Sequence, residues 1–245
     1  MRLVPFPRFF TLALVLVFGF LSLASCGPSP VPTPPPGDIG IFSEGIELAE
    51  TEPGTLRLSG IADTVIGPAD QIEVLNGGDD SGLVSVTSAP VAADGSFEVT
   101  FAGTLADVVR VQAFGPEGRS VPVDLKSDAA GGVEPVSEPP CGIISPALEL
   151  DLPAVAVGQP SSGTVTLESN CAGLGFDGLA LVDDAEWTFD VDVGVPTDLT
   201  PGATATITVT FTPQAAGAST NYLLLTLAGG APAIRPVTLH GVGQP

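Results

Sequence analysis

The chain has 245 residues, enough for one large domain or two of about 100 residues each. Seven basic residues face 28 acidic ones, and two of the seven, Arg2 and Arg8, fall in an apolar N-terminal stretch; without them the balance is 5 − 28 = −23. So acidic a surface repels phosphate backbones and anionic headgroups, which argues against nucleic-acid binding and against electrostatic adhesion to membranes, and it favours solubility and self-repulsion.

Residues 1–25 have the three parts of an export signal. A basic start (Arg2, Arg8) precedes an apolar core from about Phe9 to Leu23, and small residues follow. A core of about 15 residues is short for roughly 30 Å of hydrocarbon, so the stretch is expected to be a cleaved signal peptide. Its end, Leu23-Ala24-Ser25-Cys26, resembles the lipobox of bacterial lipoproteins, with an apolar residue and two small ones ahead of a cysteine. The resemblance implies cleavage before Cys26 and acylation of its thiol, hence an extracytoplasmic, lipid-anchored protein of the cell envelope. Two or three acyl chains hold stably where one binds reversibly. By resemblance to envelope-sorting signals, Gly27 in place of an aspartate implies the outer membrane if the host is Gram-negative. Residues 26–37 continue as a Pro-rich tether, whose Pro28–Gly37 part reads as polyproline II reaching roughly 30 Å.

From residue 38 to 126 short stretches of period-two alternation are separated by turn residues, the pattern of an antiparallel β-sandwich. The expected core sets are Leu56 and Leu58; Ile72 and Val74; Val84 and Val86; and Phe97, Val99 and Phe101. Turns are expected at Asn76-Gly77-Gly78, Asp94-Gly95 and 115–118. The succession GTLRLSGIAD, QIEVLN, ADGSFEVTF and VVRVQAFGPEGRSVPVDL resembles bacterial immunoglobulin-like domains. Residues 127–140, rich in Gly, Pro and acid, read as a linker.

Residues 141–245 read as a second sandwich. Ala203, Ala205, Ile207, Val209 and Phe211 alternate with Thr204, Thr206, Thr208, Thr210 and Thr212, as a strand with one wet face requires. Further strands are expected at Leu148–Leu152, around Val165 and Leu167, at Trp187–Val191, at Tyr222–Leu227 and at Val237–Leu239. Pro201-Gly202 makes the turn into the threonine strand, Pro213 ends it, Gly217 reverses the chain, and Gly241 and Gly243 mark a closing turn. The segments LELDLPAVAVGQPSSGTVTLESN, LTPGATATITVTFTPQAAGASTNYLLLTLAG and VTLHGVG, in that order, resemble the abnormal-spindle/Hydin type of immunoglobulin-like domain, called choice-of-anchor D in bacterial surface proteins. Cys171-Ala172 departs from the Thr-Gly-type turn usual there. The fold expected for the whole is all-β: two tandem immunoglobulin-like antiparallel sandwiches after a signal peptide and tether.

Cys141 and Cys171 remain once Cys26 is set aside, and in an oxidising compartment a disulfide is the natural reading. It would close a loop of about 30 residues, for roughly 3 to 4 kcal/mol in the chain-entropy picture. A metal or redox pair is the alternative, without a neighbouring histidine or C-x-x-C spacing to favour it. His240, the one histidine, alternates with Leu239 and is expected on a solvent face, with no serine or cysteine motif to make a triad. Acidic runs at Asp79-Asp80 and at Asp183, Asp184, Glu186, Asp190 and Asp192 are expected to be solvated turns and strand ends; weak Ca²⁺ binding by the second run is the alternative. The threonine stripe reads as strand propensity. One tryptophan and one tyrosine give a sugar-binding platform little material.

The expected function is a non-enzymatic envelope lipoprotein, held to the membrane through acylated Cys26, whose modules act as surface spacer and protein-interaction domains. No nucleic acid, cofactor or small-molecule substrate is expected. The alternative is a Ca²⁺- or glycan-dependent adhesion module.

Overall fold

The structure, a computed structural model, describes residues 39–245 except 79–81, 117, 129–131, 137–142, 145–147, 170–173, 193, 195–196 and 229–233. These residues are almost entirely β, with one 3₁₀ turn at Ser43–Gly45. No helix among them is long and apolar enough to cross a membrane.

The N-terminal sandwich packs two sheets. Its outer sheet runs Ile46–Glu52, Thr55–Gly60, Phe97–Ala102, and its inner sheet runs Val133–Pro135, Val123–Ser127, Val109–Gly115, Gln71–Asn76, Ser85–Pro90. All these pairs are antiparallel. Period-two alternation explains the core: Leu56, Leu58, Ile72, Val74, Phe97, Val99 and Phe101 are all buried in one cluster. The Asp94-Gly95 turn is present, with Gly95 at φ 81° and Asp94 accepting from the Ser96 amide. The hairpin at 115–118 is present too, pairing Gly115 with Gly118.

Two expectations fail in this half. Val84 and Val86 are exposed, because the register sets Val86 opposite Leu75, on the side of the inner sheet that faces away from this core. Within the stretch read as linker, Val133–Pro135 forms a strand on Val123–Ser127, reinforced by a Lys126–Glu134 ion pair at 3.0 Å.

The C-terminal sandwich has an outer sheet of Ile143–Ile144, Ser161–Ser169, Thr204–Phe211 and Trp187–Val191. Its inner sheet runs Glu149–Asp151, Ile234–Gln244, Gly217–Ala228, Leu174–Leu181, Thr197–Leu199, with Val155–Ala156 also on Ile234–Gln244. Glu149–Asp151 and Val155–Ala156 join their neighbour in parallel, a departure from a purely antiparallel sheet. The threonine strand behaves as its pattern demands: Ala205, Ile207, Val209 and Phe211 are buried, while Thr204 and Thr208 face water. Trp187 lies on Phe211 with ring centroids 4.5 Å apart. Phe189, on the edge strand Trp187–Val191, is 37% exposed.

Gly241 and Gly243 do not mark a turn; both sit inside the strand Ile234–Gln244. A side chain on Gly241 would meet the Phe211 ring at 2.5 Å, and one on Gly243 would meet the Ala215 carbonyl at 2.2 Å. They are glycine because the neighbouring chain comes too close for a Cβ.

The two sandwiches stack broadside. In the strand Val109–Gly115, Val109, Val111 and Ala113 enter the first core, yet Arg110 and Gln112 between them are buried as well. In Gly217–Ala228 and Ile234–Gln244 the odd-numbered Leu223, Leu225, Val237 and Leu239 enter the second core, and the even-numbered Tyr222, Leu224, Thr238 and His240 are buried on the opposite side. The inner sheets therefore pack on each other through their central strands, giving four layers, while the edge strand Ser85–Pro90 stays uncovered on that side.

Candidate functional site at the joint between the sandwiches

The surface between the inner sheets collects most of the buried charge found among the described residues. Arg110, 1% exposed in its side chain, donates from Nε and Nη2 to the two oxygens of Asp124 at 2.7 and 2.9 Å, a bidentate pair within the first sandwich. Its Nη1 reaches into the second sandwich, to the Leu148 carbonyl at 3.0 Å and Thr238 Oγ1 at 3.3 Å. Arg119 crosses outright: Nε donates to Glu149 Oε1 at 3.2 Å, and Nη2 to both oxygens of Asp151 at 2.7 and 2.9 Å.

Glu149 is the hub. One oxygen accepts from Arg119, from the Gln112 amide, and lies 3.4 Å from His240 Nε2. Burial raises its pKa, but the His240 hydrogen bond and the Arg119 charge outweigh this, so the carboxyl sits below the usual glutamate value. Tyr222 donates its hydroxyl to Glu73 of the first sandwich. Burial first, then the Glu73 charge, push that hydroxyl well above the ordinary tyrosine range, so Tyr222 stays a donor. Leu75, Tyr222, Leu224 and Ile234 make a small apolar cluster beside these groups.

His240 therefore corrects the sequence reading. Its alternation with Leu239 is as expected, but the face it takes is covered by the first sandwich, leaving it 4% exposed with the Phe114 ring edge-on at 6.3 Å. Beside it opens a cleft of about 130 Å³ lined by Phe114, Gly118, Arg119, Ser219, Thr220 and His240. Thr220 Oγ1, His240 Nδ1 and Glu149 form a hydroxyl–imidazole–carboxylate chain with steps of 3.4 and 3.4 Å, longer than well-formed hydrogen bonds. Glu149 is simultaneously committed to Arg119 and Gln112 of the first sandwich, so it ties the two sheets together.

The acidic run falls apart into separate backbone contacts. Asp183 Oδ1 accepts from the Ala185 amide, Glu186 from Gln214, Asp190 from Val191 and Asp192 from Thr206. Among the described residues no three His, Cys, Asp or Glu are grouped to hold a metal ion, so Asp183, Asp184, Glu186, Asp190 and Asp192 are not brought together. Leu23, Ala24, Ser25, Cys26, the tether, Asp79, Asp80, Cys141 and Cys171 lie outside the described residues.

Sequence reasoning missed Arg110, Arg119, Glu149, Glu73 and Tyr222 as a set. The available signal was Arg110 and Gln112 alternating with Val109, Val111 and Ala113, in a chain with only five basic residues beyond the leader. A strand buried on one face rarely places scarce cations on the other without a partner.

No protein-family description matches the chain, and no curated protein matches it. Among solved structures it is similar to a protein of unknown function from Porphyromonas gingivalis W83, at 12% identity over 84% of this chain and 100% of that one, with a TM-score of 0.37. It is similar also to PapD-like domain 7 of human CEP192, at 14% identity over 48% and 96% with a TM-score of 0.31. Domains 4 and 5 of the S-layer protein SbsC align at 18% identity over 82% and 91%, with a TM-score of 0.25.

Proposed function

We propose that this chain is a non-enzymatic cell-envelope lipoprotein whose paired immunoglobulin-like sandwiches form a surface module for protein interaction. The observation that carries the reading is the apolar leader ending in Leu23-Ala24-Ser25-Cys26, followed at once by a proline-rich tether. The four-layer stack supports its second half. With the central strands of both inner sheets occupied by each other, outer faces, sheet edges and loop ends are the surfaces left for partners. One such end carries Phe42, Ile61 and Ile66, each at least 40% exposed around a single shallow depression.

Within this reading the second sandwich is a choice-of-anchor D type domain. Support comes from the order of its motifs, whose GTVTL and TITVTF stretches are the paired strands Ser161–Ser169 and Thr204–Phe211. A Cys141–Cys171 disulfide belongs to the same proposal and rests on the sequence alone: with Cys26 set aside these two cysteines remain, and an oxidising compartment pairs them.

Mass spectrometry of the protein from membrane fractions tests the proposal. Acyl groups on an N-terminal Cys26 are expected, with crosslinked partners drawn from the envelope. An unmodified thiol on a cytosolic protein would overturn it.

A further inference from the structure

We propose that the apolar end of the first sandwich, made by Phe42, Ile61 and Ile66, is a foot that rests on the lipid surface carrying the anchor; this inference rests on the lipoprotein reading above. The three side chains are 51%, 66% and 40% exposed and stand around one shallow depression of about 430 Å³. Ile61 is the most exposed large apolar residue among the described ones.

The fold holds these side chains outward. Along the first strand Ile39 and Ile41 turn into the core, so the alternate positions Gly40 and Phe42 turn away from it. Ile66 pairs with Gly40, and a Cβ on that glycine would meet Ile66 Cγ1 at 3.0 Å, so the isoleucine lies over the strand. Backbone bonds fix the other two: the Phe42 amide donates to the Thr64 carbonyl at 2.9 Å and the Ile61 amide to the Gly45 carbonyl at 3.0 Å.

What covers this end follows from where the chain enters it. Ile39 lies three residues before Phe42 and 13 after Cys26, a reach of about 40 Å even when drawn out as polyproline II. Gly37, between the last proline and Asp38, leaves that spacer free to lie along the surface as well as to stand on it. A tether this short holds the patch near lipid at an effective concentration in the millimolar range, where a few apolar side chains dipping into the headgroup boundary are enough. Among the described residues the rim of the depression carries Glu44 and Asp63 and no basic residue. The surface it fits is therefore zwitterionic, and anionic headgroups should weaken the contact.

The test uses the mature acylated protein carrying Phe42→Trp, reconstituted on phosphatidylcholine vesicles with brominated acyl chains. Emission from position 42 should fall roughly twofold against unbrominated vesicles. Trp187, 2% exposed in the second core, should stay unquenched in the parent. Adding Ile61→Ser and Ile66→Ser, or replacing part of the lipid by phosphatidylglycerol at low salt, should reduce the quenching. A protein that neither floats with the vesicles nor carries acyl mass on Cys26 would sink the lipoprotein reading and this inference with it. A protein that floats but shows no quenching at position 42 would overturn the foot alone. So would quenching undiminished by the two serine substitutions. Blue-shifted, unquenched emission that is the same in a Cys26→Ser chain would assign the patch to the tether or to a second copy, and would overturn the foot as well.

Discussion

The sandwich cores and the joint between them cohere by different physics. Each core is dry and aliphatic, filled by the inward half of alternating strands, as with Ile207, Val209 and Phe211 against Leu223, Leu225 and Leu239. The joint is built from the outward half of the same strands and is polar: Arg110, Gln112, Arg119, Glu149, Tyr222 and His240. Apolar burial is non-directional and tolerates repacking, whereas paired charges demand particular partners and penalise the loss of one. Each core is therefore expected to fail only by unfolding, and the joint by separation.

The largest effect is expected in the core. Phe211→Ala removes the ring that stacks on Trp187 and fills the space opposite Gly241, and should cost about 3–5 kcal/mol in denaturant unfolding followed by Trp187 fluorescence. In the joint, Arg110→Met strips Asp124 and the Leu148 carbonyl of their donor. A loss of about 3 kcal/mol is expected there, seen first in the Tyr222 signal and only later in that of Trp187. If both probes shift equally, the distinction between core and joint fails.

Smaller still, Tyr222→Phe keeps the ring in its cluster and removes only the hydroxyl given to Glu73, for about 1–2 kcal/mol by thermal melting. Thr208→Ala, on the wet face of the threonine strand opposite Thr164 and Asp190, should stay within about 0.5 kcal/mol. A substantially larger loss would show that this face is covered in the native protein.

The same contrast explains what could be read without a structure. Strand identity and the inward sets were legible because period-two alternation is dictated by the pleat: Leu56 with Leu58, Phe97 with Val99, and the whole Ala203–Thr212 pattern lie on the sides expected. Alternation says which residues share a face but not what covers that face. His240 was correctly set opposite Leu239 and wrongly assigned to water, since the covering surface comes from more than a hundred residues earlier in the chain. Val86 failed conversely, as an apolar residue placed by register on the joint side of an edge strand where nothing buries it. Gly241 and Gly243 read as turn residues because glycine serves turns and close approaches alike, and only the Phe211 ring and the Ala215 carbonyl separate the two.

The central claim is that the sandwiches lie broadside, inner sheet on inner sheet, and solution scattering at neutral pH tests it most directly. Four stacked layers about 10 Å apart predict a pair-distance distribution with one principal maximum. Two resolved maxima, the signature of lobes joined end to end, would contradict it.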